Sequence, residues 1–179
     1  MHNDFEKLKE ICRVACHERN ACKEGFEALL AADTTAQLMQ VWRKNWQDIY
    51  ESKFSDVMAA RIAEVARSTK MRREMKQADV YVNESSDRGL IIISRPRGTV
   101  FVSGNAKAYV FAGPAAVEAT DHAQVFCKAT GTTLTLRGHA FGVAKAGNVT
   151  LYDRAFLKGH PESISINDAA TYEPIKEEI

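Results

Sequence analysis

Residues 104 to 154 divide into three consecutive lengths of seventeen, GNAKAYVFAGPAAVEAT, DHAQVFCKATGTTLTLR and GHAFGVAKAGNVTLYDR, in which small residues, turn pairs and branched aliphatics return to the same columns. The preceding DRGLIIISRPRGTVFVS, residues 87 to 103, aligns above them as a fourth row. Recurrence at a fixed period of this length points to an architecture that stacks one unit upon the next.

Within each row the apolar positions alternate. The third column holds Gly89, Ala106, Ala123 and Ala140, the fifth Ile91, Ala108, Val125 and Gly142, and the seventh Ile93, Val110, Cys127 and Ala144. The phase then slips by one, to Gly98, Ala115, Thr132 and Val149, and next to Val100, Val117, Leu134 and Leu151. The column after that, Val102, Ala119, Leu136 and Asp153, fails only in its last row. Alternation of period two is strand geometry, and a one-residue slip is what a bend between two strands produces. Turn formers sit at the bends: Pro96-Arg97, Gly113-Pro114, Thr130-Gly131 and Gly147-Asn148 at one, Gly104-Asn105, Asp121-His122 and Gly138-His139 at the other. A β-solenoid of about four 17-residue coils accounts for all of this, with a rod only about 20 Å long at the usual strand spacing. An antiparallel meander would also alternate, but it does not require every second strand to match at the same columns.

Up to residue 77 the spacing is helical instead. Phe5, Leu8, Ile11, Cys12, Ala15 and Cys16 form the stripe of a first helix, which Asn20 interrupts, and Phe26, Leu29 and Leu30 a second that ends near Ala32. Thr34 and Gln37 have the spacing of a capping box ahead of a third helix that buries Leu38, Val41, Trp42 and Ile49. Ser55 caps a long fourth helix carrying Val57, Met58, Ile62, Val65 and Met71, whose end is basic through Arg67, Lys70, Arg72, Arg73 and Lys76. Cations there complement the helix dipole, so a solvated face is the plain reading and phosphate binding the rival. The expected organisation is α+β: a helical domain over 1–77, a β-solenoid domain over 78–159 and a cap or tail over 160–179. In that last part Ser163 to Ile166 could add one edge strand, and the polar YEPIKEEI is expected to be loose. Because solenoid ends expose unpaired strand edges, the helical half is expected to cover one end and the residues after Lys158 the other.

A formal net charge of +1 gives no global reason to expect nucleic acid or an anionic membrane. No apolar run approaches the roughly 18 residues that would span a bilayer, and no basic start precedes an apolar h-region, so the chain is expected in the cytoplasm. Four cysteines in 179 residues are too few for a disulfide scaffold. Cys12, Cys16, His17 and Cys22 make C-x3-C-H-x4-C, a spacing of neither structural zinc nor ferredoxin type, so no metal and no cofactor is expected.

The outward columns carry the functional expectation. Ile92, Tyr109, Phe126 and Val143 form a vertical apolar stripe facing away from the solenoid core, with Phe111 and Phe141 beside it. A contiguous apolar patch of this kind marks a covered surface. The cover is expected to be the helical half folding back, or else a second copy; a sugar-binding strip is the third option. The expected function is therefore a non-catalytic protein-interaction or assembly module, its partner a protein or another copy of the chain. One alternative is an acyltransferase-like or metal-dependent enzyme using His122 and His139, seventeen apart and so stacked at a turn, in a subunit groove. Another is nucleic-acid binding through the basic helix end. The ladders A-Q-V-F-C-K-A and A-A-V-E-A, over residues 87 to 157, resemble those of short cytoplasmic β-solenoid proteins such as the polymer-forming bactofilins, which implies the solenoid fold and a capacity for assembly.

Overall fold

A computed structural model describes residues 4–18, 23–51 and 55–175. The chain divides into two compact units, Met1–Val82 and Asn83–Ile179.

The first unit contains six helices among the described residues: α1 (Asp4–Glu18), α2 (Lys23–Ala31), α3 (Thr35–Lys44), α4 (Trp46–Glu51), α5 (Ser55–Val65) and α6 (Thr69–Gln77), followed by the short strand β1 (Val80–Val82). Leu8, Cys12, Leu29, Leu38, Met39 and Ile62 are fully buried. The capping box is present: Thr34 Oγ1 accepts from the Gln37 N–H at 3.2 Å, and Gln37 Oε1 accepts from the Thr34 N–H at 3.2 Å.

Two of the expected helices are each broken in two. The third stops at Asn45, whose side-chain amide donates to the Val41 carbonyl at 2.8 Å, so Ile49 belongs to α4. A side-chain amide that bonds the preceding turn competes with the backbone ladder and favours termination. The fourth stops at Val65 and restarts at Thr69, because Ser68 adopts extended angles (φ −68°, ψ 123°) and accepts from the Met71 N–H. Arg72 Nε donates to the Ala66 carbonyl at 3.1 Å, satisfying an acceptor that the break leaves over. Asn20 and Cys22 lie outside the described residues.

The second unit is a parallel β-solenoid of about five turns. Its strands are β2 (Leu90–Ser94), β3 (Val100–Val102), β4 (Lys107–Ala112), β5 (Ala115–Ala119), β6 (Gln124–Cys127), β7 (Thr132–Leu136), β8 (Phe141–Ala144), β9 (Asn148–Leu151), β10 (Phe156–Gly159), β11 (Ser163–Ile166) and β12 (Thr171–Pro174). Even-numbered strands stack as β2-β4-β6-β8-β10-β12 and odd-numbered ones as β3-β5-β7-β9-β11. Val117 pairs directly with Val100 on one side and Leu134 on the other, both seventeen residues away. The inward columns form the core: Ala108, Val125, Leu134, Leu136, Leu151 and Leu157 are fully buried.

The expectation of four equal coils is corrected in two respects. Five turns are present, since β11 forms as expected on β9 and residues 171–174, with 172–174 expected to be loose, pair with β10 as β12. The period also shortens. β6 and β8 pair at an offset of seventeen, as in Val125 with Gly142, but β7 and β9 pair at fifteen, as in Leu134 with Val149 and Leu136 with Leu151. The loss falls in the corner between β8 and β9: Cys127 pairs with Ala144 and Thr133 with Asn148, so Lys145, Ala146 and Gly147 stand in register where the coil before has the five residues 128–132. Fifteen then persists from β8 to β10, from β9 to β11 and from β10 to β12. Asp153 breaks the expected inward column because that column continues at Leu151.

The opposite corner keeps its length throughout. It reads SGNA, TDHA, RGHA, YDRA and NDAA, beginning at Ser103, Thr120, Arg137, Tyr152 and Asn167. Each is a four-residue turn closed by the alanine N–H on the first residue's carbonyl, at 3.1 to 3.3 Å. The second position is left-handed in all five: Gly104 (φ 56°), Asp121 (59°), Gly138 (65°), Asp153 (60°) and Asp168 (56°). Only Gly, Asn and Asp tolerate that conformation readily, which explains the alternation. The aspartates add a cross-coil bond, accepting from the backbone N–H one coil earlier: Asp121 from Gly104 at 3.1 Å, Asp153 from Gly138 at 3.0 Å and Asp168 from Asp153 at 3.2 Å. The alanine points inward, and Ala106, Ala123, Ala140 and Ala155 are completely buried, so nothing larger fits where the two sheets converge.

Candidate functional site

Strand alternation on the even-numbered sheet sends Val110, Val125 and Leu157 inward and an aromatic series outward. The corrected register shows two outward columns. One runs Ile92, Tyr109, Phe126, Val143, Lys158 and Glu173; its neighbour runs Lys107, Gln124, Phe141, Phe156 and Thr171. Tyr109 stacks on Phe126 with ring centroids 4.7 Å apart, Phe126 meets Phe141 edge-on at 6.4 Å, and Phe141 stacks on Phe156 at 5.6 Å with planes 6° apart. Such pairs contribute about 0.5–1.5 kcal/mol beyond the area they bury.

All six residues of the expected stripe thus lie on one sheet, but in different environments. Ile92, Tyr109 and Phe111 are buried, while Phe126, Phe141 and Val143 are half-buried. Phe156, also half-buried, lies beyond the four aligned rows and extends the ladder, because the fifteen-residue register sets it beside Phe141. The face is bordered by cations: Lys128 lies over the Phe111 ring at 5.5 Å, Lys158 pairs with Glu173 at 3.3 Å, and Lys107 and Lys145 are exposed.

His122 and His139 do stack at the turn, with ring centroids 5.4 Å apart and planes 6° apart. Both are exposed, in a corner column that also holds Asn105, Arg154 and Ala169. No group of three or more potential metal ligands occurs among the described residues. Cys12 is buried and its thiol is pushed far above the usual range by desolvation, with Cys16 nearby adding to the effect. A buried neutral thiol of this kind is a small core hydrophobe. Cys16 is half-buried and His17 exposed.

The basic residues of the first unit do not share one role. Lys70 pairs with Glu74 at 4.0 Å and Arg72 is engaged by the Ala66 carbonyl, while Arg67, Arg73 and Lys76 are exposed. A groove of about 560 Å³ beside α1 and α5 is lined by Asp4, Glu10 and Glu64 together with Lys7 and Arg61. Its mixed charge selects no ligand of one sign. No helix among the described residues is long and apolar enough to cross a membrane. Comparison with protein families, curated proteins and solved structures returned no match.

Proposed function

We propose that the chain is a non-catalytic protein-interaction module in which the solenoid is a rigid platform and its aromatic face the docking surface. The observation that carries this reading is the outward ladder of Phe126, Phe141 and Phe156, whose rings are ordered against one another yet left half-buried. A rigid aromatic surface loses little conformational entropy when it binds, and rings of this type dominate interface energetics. The lysines along the face, Lys107, Lys128, Lys145 and Lys158, suit a partner whose apolar patch is edged with carboxylates.

The test compares the full chain with Phe126→Ala and Phe141→Ala as bait in extracts of the source cell, with the stability of each bait measured in parallel. A specific partner should be retained by the parent and lost with either variant. Loss of one ring at the centre of an interface costs on the order of 2 kcal/mol, or roughly 30-fold in affinity. Parent and variants recovering the same proteins at the same yield would refute the docking role of this face.

A further inference from the structure

The last coil differs from those before it in how its inward residues are placed. Ile164 and Ile166 continue the columns of Val149 and Leu151. Val149 and Leu151 are 2% and 0% exposed, whereas Ile166 is 49% exposed and Ile164 is half-buried. Two β-branched side chains therefore stand in core positions with no further coil over them among the described residues.

The two strands of that coil offer different edges. The Thr171 N–H donates to the Ala155 carbonyl, so odd-numbered residues of β12 bond inward and Tyr172 and Pro174 face its free edge. Proline has no N–H to offer, so that edge is blunted. On β11 the Asn167 N–H donates to the Leu151 carbonyl, so the N–H and C=O groups of Ile164 and Ile166 face outward. This edge, SISI, carries no proline and no charge.

We propose that the β11 edge is a self-association site that pairs antiparallel with β11 of a second copy about a two-fold axis at Ser165. The geometry selects that occupant and register. With Ser165 opposite Ser165 of the second copy, Ile164 falls opposite Ile166 in both directions, and these are the residues whose backbone groups face the edge. Four hydrogen bonds form at once, and every exposed isoleucine gains an isoleucine from the other chain. A strand without charge can meet itself without like-charge repulsion, and the contact is isologous, so it closes at two copies. The same register sets Glu162 near Asp168 of the second copy at the rim, so salt strengthens the association. This surface is separate from the aromatic face and does not depend on its role.

The experiment is light scattering on the full chain from ~1 μM to ~1 mM, with and without added salt, since mass action makes a dimer concentration-dependent. The expected result is a rise from 19.9 kDa towards twice that mass and no further, stronger in salt. Ile166→Lys should hold the chain at one copy, and Phe126→Ala should leave the association unchanged. Ser165→Cys should cross-link on mild oxidation, because residues paired across the axis have Cβ atoms about 5 Å apart. Ser163→Cys, displaced from the axis, should not. A constant mass at all concentrations, growth beyond two copies, an unaffected Ile166→Lys variant, or equal cross-linking at 163 and 165 would each overturn the proposal.

Discussion

Asp153 performs two tasks at one corner, and its substitutions should separate them. Its backbone is left-handed at φ 60°, and its carboxylate accepts from the Gly138 N–H at 3.0 Å. Asp153→Ala loses the hydrogen bond, about 1 kcal/mol at an exposed site, and forces a Cβ-bearing residue without a compensating local bond into the left-handed region, about 1 kcal/mol more. The sum is about 2 kcal/mol. Asp153→Gly loses the same bond and adds freedom to the unfolded chain, but it removes the conformational penalty, for a net loss of about 1 kcal/mol. Asp153→Asn keeps both an acceptor and tolerance of the conformation and should cost under ~0.5 kcal/mol. Urea unfolding followed by far-ultraviolet circular dichroism in the β band is the suitable assay. Tryptophan fluorescence is not, because Trp42 and Trp46, the two tryptophans of the chain, lie in α3 and α4 of the helical unit. An alanine variant no less stable than the glycine variant, or an asparagine variant as damaged as the alanine one, would refute the assignment of this column.

Leu134→Ala should be among the most damaging core changes, costing about 3–4 kcal/mol in the same unfolding experiment, because the side chain is completely buried between Val117 and Val149 and the columns are too regular to collapse around the void. The thiols offer a reactivity test: burial pushes both Cys12 and Cys127 upward, so brief alkylation of the folded protein at about pH 8 should label Cys16 well ahead of either, as read by peptide mass spectrometry.

Much of the solenoid was legible because its core is a set of columns, and columns write themselves into a sequence as recurrences. Val100, Val117 and Leu134 illustrate this: an inward position above another inward position must be small or branched, and the chain returns to it after a constant number of residues. The constancy ended where Gly147 closes a corner that had needed two more residues, and from that point a fixed ruler misassigned Val149, Leu151 and Asp153 together. A ruler anchored on the invariant corner, with its left-handed Gly or Asp two residues before a buried alanine, follows the shortening through TDHA, RGHA, YDRA and NDAA. The residues of β12 were overlooked because Glu173 and Pro174 read as tail, although an edge strand tolerates both. In the helical unit the stripes were legible but the interruptions at Asn45 and Ser68 were not. Each is set by one side chain capturing a backbone group, a local competition that periodicity does not register. On the aromatic face the pattern revealed which side chains point outward, and the corrected register was needed to show that Phe156 belongs with them.

The two corners of each coil also differ in what they would accept from an engineer. Where alanines converge, a longer connection has no room. Across from them the span between register-matched positions already falls from five residues, between Cys127 and Thr133, to three, between Ala144 and Asn148, and the ladders on both sides continue undisturbed. Foreign peptides grafted between Ala144 and Asn148, or at the equivalent point between Gly159 and Ser163, should therefore be displayed at intervals set by the rise of the rod, about 4.8 Å per coil, without unravelling what lies above or below.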